Sequence, residues 1–465
     1  MKTDGFNRIS RRRFVKAGGA AIVAGSAAWS CRGAESGTGL FAGEATVEVT
    51  PPVGIELAGF HKPPGQERRV EGIRQRADAR ALVLRHAQTR VAIISLDGAG
   101  VNREMSRRVA ARVEKKTGIP AANVRLCATH SHSMPSLRFF LQWGRVSPEY
   151  MAVVEDRVCR AVDLAVADLA PAEIQVGKSR AQGANFNRTT KDYTTDAHFG
   201  PESGDEKRWL DTMVHAVHVD RAGKPNLLWY HFSSHPVCFT DTLAGPDWPG
   251  IVADLCLDRY KTAPSFLQGH CGDVNPGPGS PWIGLPDDSS KPVFEALARA
   301  LDARKPIQVD GIRSTTAEHP MALDVARFQG WMKAYEDAPE KCTSGEWVDP
   351  PFTQAWYELA KKKDPAQTTY PVPISAMRIG ELGLVFHPAE LYSVYGLQIR
   401  RDSPFENTLV VGYADDIIGY AADPAAYAAN EYAAVVVPKI LDLVPYTPTA
   451  TREMAAACVG LLKTA

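Results

Sequence analysis

Short β-branched runs alternate along the chain with amphipathic stretches, the pattern of strands interleaved with helices. Ala81–Arg85 and Arg90–Ser95 read as strands, and Asn102–Lys116 as a helix ended by Gly118-Ile119-Pro120. Val124–Cys127 is a further apolar strand, and Pro148–Leu169 a long helix. The spacing then predicts strands at Ile174–Gly177, Val214–Val219, Leu227–Phe232 and Ser265–Gln268. Helices follow at Pro249–Tyr260, Pro292–Arg304, Ala389–Arg400, Pro424–Val436 and Thr451–Leu462. The class is α/β. Residues 270–290, rich in Pro, Gly, Ser and Asp, form the longest evident loop, and long loops in compact domains tend to carry function.

Composition narrows the function classes. Hydrophobic residues at 45% and charged residues at 23% exclude a disordered, collagenous or coiled-coil chain. Lys+Arg and Asp+Glu balance at 53 each, which argues against a nucleic-acid partner. Eight cysteines without CxxC spacing do not make a disulfide scaffold or a zinc ribbon.

The N-terminus adds a destination. Arg11-Arg12-Arg13-Phe14 precedes an uncharged Ala/Gly-rich run, Ala17–Ser30, which reads as a twin-arginine export signal over residues 1–31. Its implied partner is the twin-arginine translocase, and the implied location is periplasmic or secreted. Removing it takes away six Lys/Arg and one Asp, leaving 47 basic against 52 acidic side chains. Cys31 is a candidate lipid anchor, although Ala28-Trp29-Ser30 is a poor lipidation signal. Residues 32–43 read as a linker, and 44–465 as the folded part.

Candidate chemistry collects at strand ends, where α/β folds place ligands. His130 and His132 follow the Val124–Cys127 strand, and His235 follows Leu227–Phe232. The two histidines are expected to point to opposite sides of the loop, so one of the pair is expected to face a metal and the other to act beside it. Hydrogen-bonded loop histidines are the plainer alternative. His231 reads equally as a core residue. Gly269-His270-Cys271-Gly272-Asp273-Val274-Asn275 is either a catalytic loop or a tight turn. Glu390 falls in the first turn of a predicted helix, where a carboxylate suits the helix dipole without further purpose.

In order, these segments resemble the catalytic domain of the neutral/alkaline non-lysosomal ceramidases, zinc amidohydrolases that cleave N-acyl amides of sphingoid bases. The resemblance runs from Val47-Glu48-Val49-Thr50-Pro51-Pro52-Val53-Gly54 through Ala128-Thr129-His130-Ser131-His132-Ser133, Asn187-Arg188-Thr189 and Asp247-Trp248-Pro249-Gly250. It continues through Gly272-Asp273-Val274, Pro388-Ala389-Glu390, and Tyr420 with Tyr432. It implies one large catalytic domain of mixed β-sheets flanked by helices. It also implies a Zn²⁺ site of His130, His235, Glu390 and Tyr420, with hydrolysis by a zinc-bound water. His132 would be the general base, and Arg188 and Tyr432 the groups at the scissile bond.

Two departures bear on the substrate. Asn275 stands where the longer ceramidases carry Ser; an amide is no nucleophile, although it can bind substrate or order the loop. The sequence also ends after Thr451–Leu462 without a stretch matching their immunoglobulin-like C-terminal domain, as in shorter bacterial relatives. The expected substrate is therefore an N-acyl amide, lipid-like or small, with membrane-surface association as a corollary of a lipid. An ester, a carbohydrate-linked amide, or a non-catalytic periplasmic ligand-binding role are the alternatives.

Overall fold

The computed structural model describes residues 39–465. The predicted export signal, Cys31 and residues 32–38 lie outside the described residues. The first strand, Leu40–Glu48, begins ahead of the boundary expected at 44. Leu40 and Ala42 are buried and the strand pairs along its length with Asp78–His86, so this stretch is part of the sheet rather than linker.

The central sheet has nine strands among the described residues. Its order is Ser265–Gln268, Leu227–Phe232, Met213–Arg221, Ala170–Arg180, Leu40–Glu48, Asp78–His86, Thr89–Leu96 and Val124–Ala128, with Lys305–Pro306 added beside Ala170–Arg180. Only the outermost pair at each end is parallel. The two ends approach each other. Ser95 Oγ donates to the Phe266 carbonyl at 2.6 Å, and Gln268 Nε2 donates to the Thr129 carbonyl at 3.2 Å. The sheet has curled until its terminal strands meet, which satisfies edge groups that would otherwise be unpaired.

Side-chain alternation assigns each face. Leu82, Leu84, Val91 and Ile93 pack inward with Val217 and Trp229, whereas Ala81, Val83, Ala92 and Ile94 belong to the core on the opposite face. The inward set meets a second sheet, ordered Ile312–Ala322, Thr369–Ile379, Leu382–Phe386 and Asn407–Val411. Its Met377, Leu384, Phe386 and Leu409 complete the same core. Helix Pro148–Ala167 covers the outer face of the central sheet, and Ala450–Thr464 covers the second sheet. The result is mixed sheets flanked by helices in one large domain.

Two predicted helices change. Pro424–Val436 is two short helices, Pro424–Ala428 and Tyr432–Val435, because Asn430 turns the chain through φ 51°. The helix expected from Ala389 starts at Ser393, and Glu390-Leu391 is instead a two-residue strand paired in parallel with Tyr420-Ala421. The helix-dipole explanation for Glu390 is thereby lost.

A candidate metal centre at the strand ends

Both parallel pairs of the central sheet, and the parallel pair of the second sheet, end at one place. His130 and His132 leave Val124–Ala128, His235 leaves Leu227–Phe232, and His387 through Glu390 leave Leu382–Phe386. Gln268 ties the first two loops together, donating to the carbonyls of Thr129 and Ser234. The His132 amide donates to the Pro236 carbonyl at 2.9 Å.

The sequence expectation that His130 and His132 face opposite ways is wrong. Residues two apart in an extended segment share a face, and His130 itself has a left-handed φ of 64°. Their Nε2 atoms lie 3.1 Å apart, and His130, His132 and His235 form one cluster able to hold a metal ion. Glu390 closes it: its Oε2 is 3.2 Å from His235 Nε2 and 3.7 Å from His130 Nε2.

The hydrogen bonds behind the rings fit a metal. His130 Nδ1 bonds the Ala99 carbonyl at 2.6 Å and His235 Nδ1 the Val274 carbonyl at 2.8 Å. A carbonyl partner makes Nδ1 the protonated nitrogen and leaves the Nε2 lone pair aimed at the carboxylate. Burial lowers the His130 pKa to about 4 and holds His132 and His235 well below the usual range. All three imidazoles are therefore neutral at pH 7, the form that ligates.

His132 differs in one respect: its Nδ1 has no partner. Tyr420 is brought to the same place by its pairing with Glu390, and its hydroxyl accepts from Arg188 Nη2 at 2.5 Å. Burial raises the Tyr420 pKa well above its usual value, and the Arg188 charge works against that rise. Arg188 also donates to the Gly272 carbonyl at 2.8 Å and to Asn275 Oδ1 at 3.3 Å. Asn275 Nδ2 in turn donates to the Trp282 carbonyl at 2.8 Å.

These groups line a cavity of about 530 Å³. His132, Arg188, Asn275, Tyr420 and Tyr432 are on its wall, with Phe60, Val237, Trp282 and Ile283 as the apolar part. Tyr432 is 40% exposed, and its hydroxyl bonds His61 Nε2 at 2.9 Å. All eight sequence candidates are thus brought together.

Two contributors went unread. Tyr413 stacks on His130 at 4.2 Å between ring centroids, and its hydroxyl donates to Glu390 at 3.5 Å. Its only sequence signal was membership of a tyrosine-rich stretch. The Gly59-Phe60-His61 segment gave no signal, since a glycine with φ 96° looks like any other in sequence. His270, by contrast, pairs with buried Asp211 at 2.9 Å and is not on the cavity wall.

The sequence pattern of the neutral/alkaline non-lysosomal ceramidase N-terminal region matches residues 41–282, just over half of the chain. The chain belongs to that family. A neutral ceramidase of Mycobacterium tuberculosis is 25% identical over 445 residues, covering 78% of this chain and 68% of its own. The neutral ceramidase of Pseudomonas aeruginosa has the same fold, with a TM-score of 0.69 at 20% identity over 92% of this chain and 75% of that one. A ceramidase complexed with C2 is similar at TM-score 0.68 and 19% identity, covering 91% and 75%.

In this ceramidase-family chain the buried histidines set an acid limit. Burial holds His231 and His387 down to about 3, and His215, like the three site histidines, below the usual range. Unfolded histidines take up protons below about 6.5, and these do not, so stability is lost as pH falls. Asp97, Asp247 and Asp423 act oppositely, because burial raises each to about 6 and the native state gains protons there. The six histidines outnumber the three carboxyls, and in the unfolded chain they take up protons from about 6.5 downward. Between pH 7 and 5.5 the metal-free protein is expected to lose at least about 1 kcal/mol per pH unit. Urea midpoints that stay level across that interval would contradict this.

Proposed function

We propose that this chain is an exported zinc-dependent amidohydrolase that cleaves an N-acyl amide. The observation that carries the reading is the meeting of buried, neutral imidazoles and a carboxylate with two Nδ1 atoms anchored on backbone carbonyls. His130, His235, Glu390 and Tyr420 are the residues that would hold the ion; such a nitrogen and oxygen set suits zinc. Zinc there supplies a Lewis acid that makes water a nucleophile near neutral pH and polarises the scissile carbonyl.

The chain's own groups divide the remaining work. His132 is the general base, because its Nδ1 lacks the carbonyl anchor that fixes the other two rings. It takes a proton from the attacking water and returns it to the leaving amine as the C–N bond breaks, giving a carboxylic acid and an amine. Arg188 and Tyr432 donate to the carbonyl oxygen as charge develops on it. Asn275, with both ends of its amide engaged, orders the Arg188 side chain against the cavity loop.

Metal analysis of the purified protein, followed by hydrolysis assays on N-acyl amides and matched esters, tests this. One zinc per chain with amide cleavage is expected. A fully folded protein that takes up no zinc would overturn the reading.

A further inference from the structure

Tyr432 has one hydroxyl hydrogen, so giving it to a substrate leaves the phenol oxygen free to accept from a second donor. The group within reach is His61, whose Nε2 lies 2.9 Å from the Tyr432 oxygen although the two residues are 371 apart in sequence. Both side chains line the cavity that His132 and Arg188 also line. On the far side of the ring, Asp349 Oδ2 is 3.8 Å from Nδ1, beyond hydrogen-bond range. Burial lowers the His61 pKa, and the Asp349 charge works against that fall. The bond to Tyr432 is the one hydrogen bond the ring makes among the described residues, and such a partner sets which ring nitrogen is protonated. An ion pair with a carboxylate 44% exposed contributes little to stability and gives no reason for the ring's place.

Each partner is fastened independently of the other. Arg68 Nη1 donates to the Ala58 carbonyl at 3.1 Å and to the His132 carbonyl at 3.0 Å, which ties the Gly59-Phe60-His61 segment to the His132 loop. Tyr432 follows Glu431, whose carboxylate accepts from Arg208 at 2.7 Å and from Tyr392 at 3.2 Å. The fold therefore sets the two side chains against each other before any ligand arrives.

We infer that His61 is a positioning residue for Tyr432: its Nε2–H holds the phenol oxygen and turns the hydroxyl hydrogen toward the scissile carbonyl. The inference rests on the amidohydrolase reading for the part that Tyr432 plays. His61 acts through the phenol and touches no reacting atom. Its hydrogen bond also strengthens the hydroxyl as a donor, because linked hydrogen bonds polarise one another.

The test is a double-mutant cycle on His61→Phe and Tyr432→Phe, with His61→Gln as the variant that keeps an N–H donor. His61→Phe is expected to lower kcat about 10-fold, with KM and zinc content unchanged. His61→Gln is expected to recover most of that loss, and His61→Phe to add nothing in the Tyr432→Phe background. A merely structural role would lower kcat by the same factor in both backgrounds. That result, or an unchanged kcat in His61→Phe, would overturn the inference. If the wild type cleaves no amide, calorimetric binding of octanoate, a carboxylate standing in for the acid product, decides instead. A loss of affinity of about 10-fold in His61→Phe that vanishes in the Tyr432→Phe background would then remove the catalytic reading and keep the pairing. Octanoate binding that His61→Phe leaves unchanged would overturn both.

Discussion

Glu390→Gln is expected to leave the protein folded and, on the proposed zinc reading, to abolish metal binding, with a loss of activity on the order of 10³-fold or more. Gln has the shape of Glu, so the buried space is filled as before. What changes is the charge. Glu390 is 1% exposed, with one oxygen within 4 Å of both His130 Nε2 and His235 Nε2. The metal-capable cluster among the described residues is His130, His132 and His235, and Glu390 is the carboxylate beside it. A neutral amide oxygen binds a divalent cation less strongly, and its NH₂ would meet imidazole lone pairs if it turned the other way. Elemental analysis beside a thermal melt checks the result: zinc should go while the folding transition remains. A variant that keeps one zinc per chain and near-normal turnover would mean that Glu390 is not a ligand.

Gly59→Ala is expected to be the most damaging single methyl group in the cavity. Gly59 has φ 96°, and a Cβ there would lie 2.3 Å from His132 Cγ. Two separate costs follow. The backbone conformation is strained for alanine by about 1–3 kcal/mol. The imidazole must also move, and misplacing a proton-transfer group by about 1 Å can cost roughly 10²-fold in rate. Gly54 separates these costs, because it has φ 94° and nothing within 4 Å of its Cβ position. Gly54→Ala should therefore lower stability without lowering kcat, whereas Gly59→Ala should lower both. Equal kcat values for the two variants would show that His132 is not held by the contact with Gly59.

The sequence was most legible where burial is continuous. Leu227–Phe232 and Ser265–Gln268 are buried at every position, and both strands lie where the sequence predicts them, to the residue. The second sheet went unread, although its strand Leu382–Phe386 is buried at every position. Ile312–Ala322 and Thr369–Ile379 are only partly buried, and Pro320, Pro371 and Pro373 interrupt the strand pattern. The site residues could be named but not arranged. The 3.1 Å approach of the His130 and His132 rings goes with a left-handed backbone at His130, which local propensity does not favour. The position of Glu390 depends on a two-residue strand whose partner, Tyr420, lies in a distant part of the chain. The Asn430 turn, likewise, is invisible to helical periodicity.

The curled central sheet has a consequence for when the protein can acquire an ion. His235 and Glu390 are 155 residues apart in sequence, and Arg188 and Tyr420 are 232 apart. The loops that carry His130 and His235 meet only once the first and last strands of the sheet have come together. Contacts of such sequence separation give a high contact order and form late in folding. No nascent chain shorter than 420 residues contains the complete proposed ligand set, whose last member is Tyr420. At the proposed site metal capture would report that the chain has closed, and an ion that binds only the closed form holds it closed.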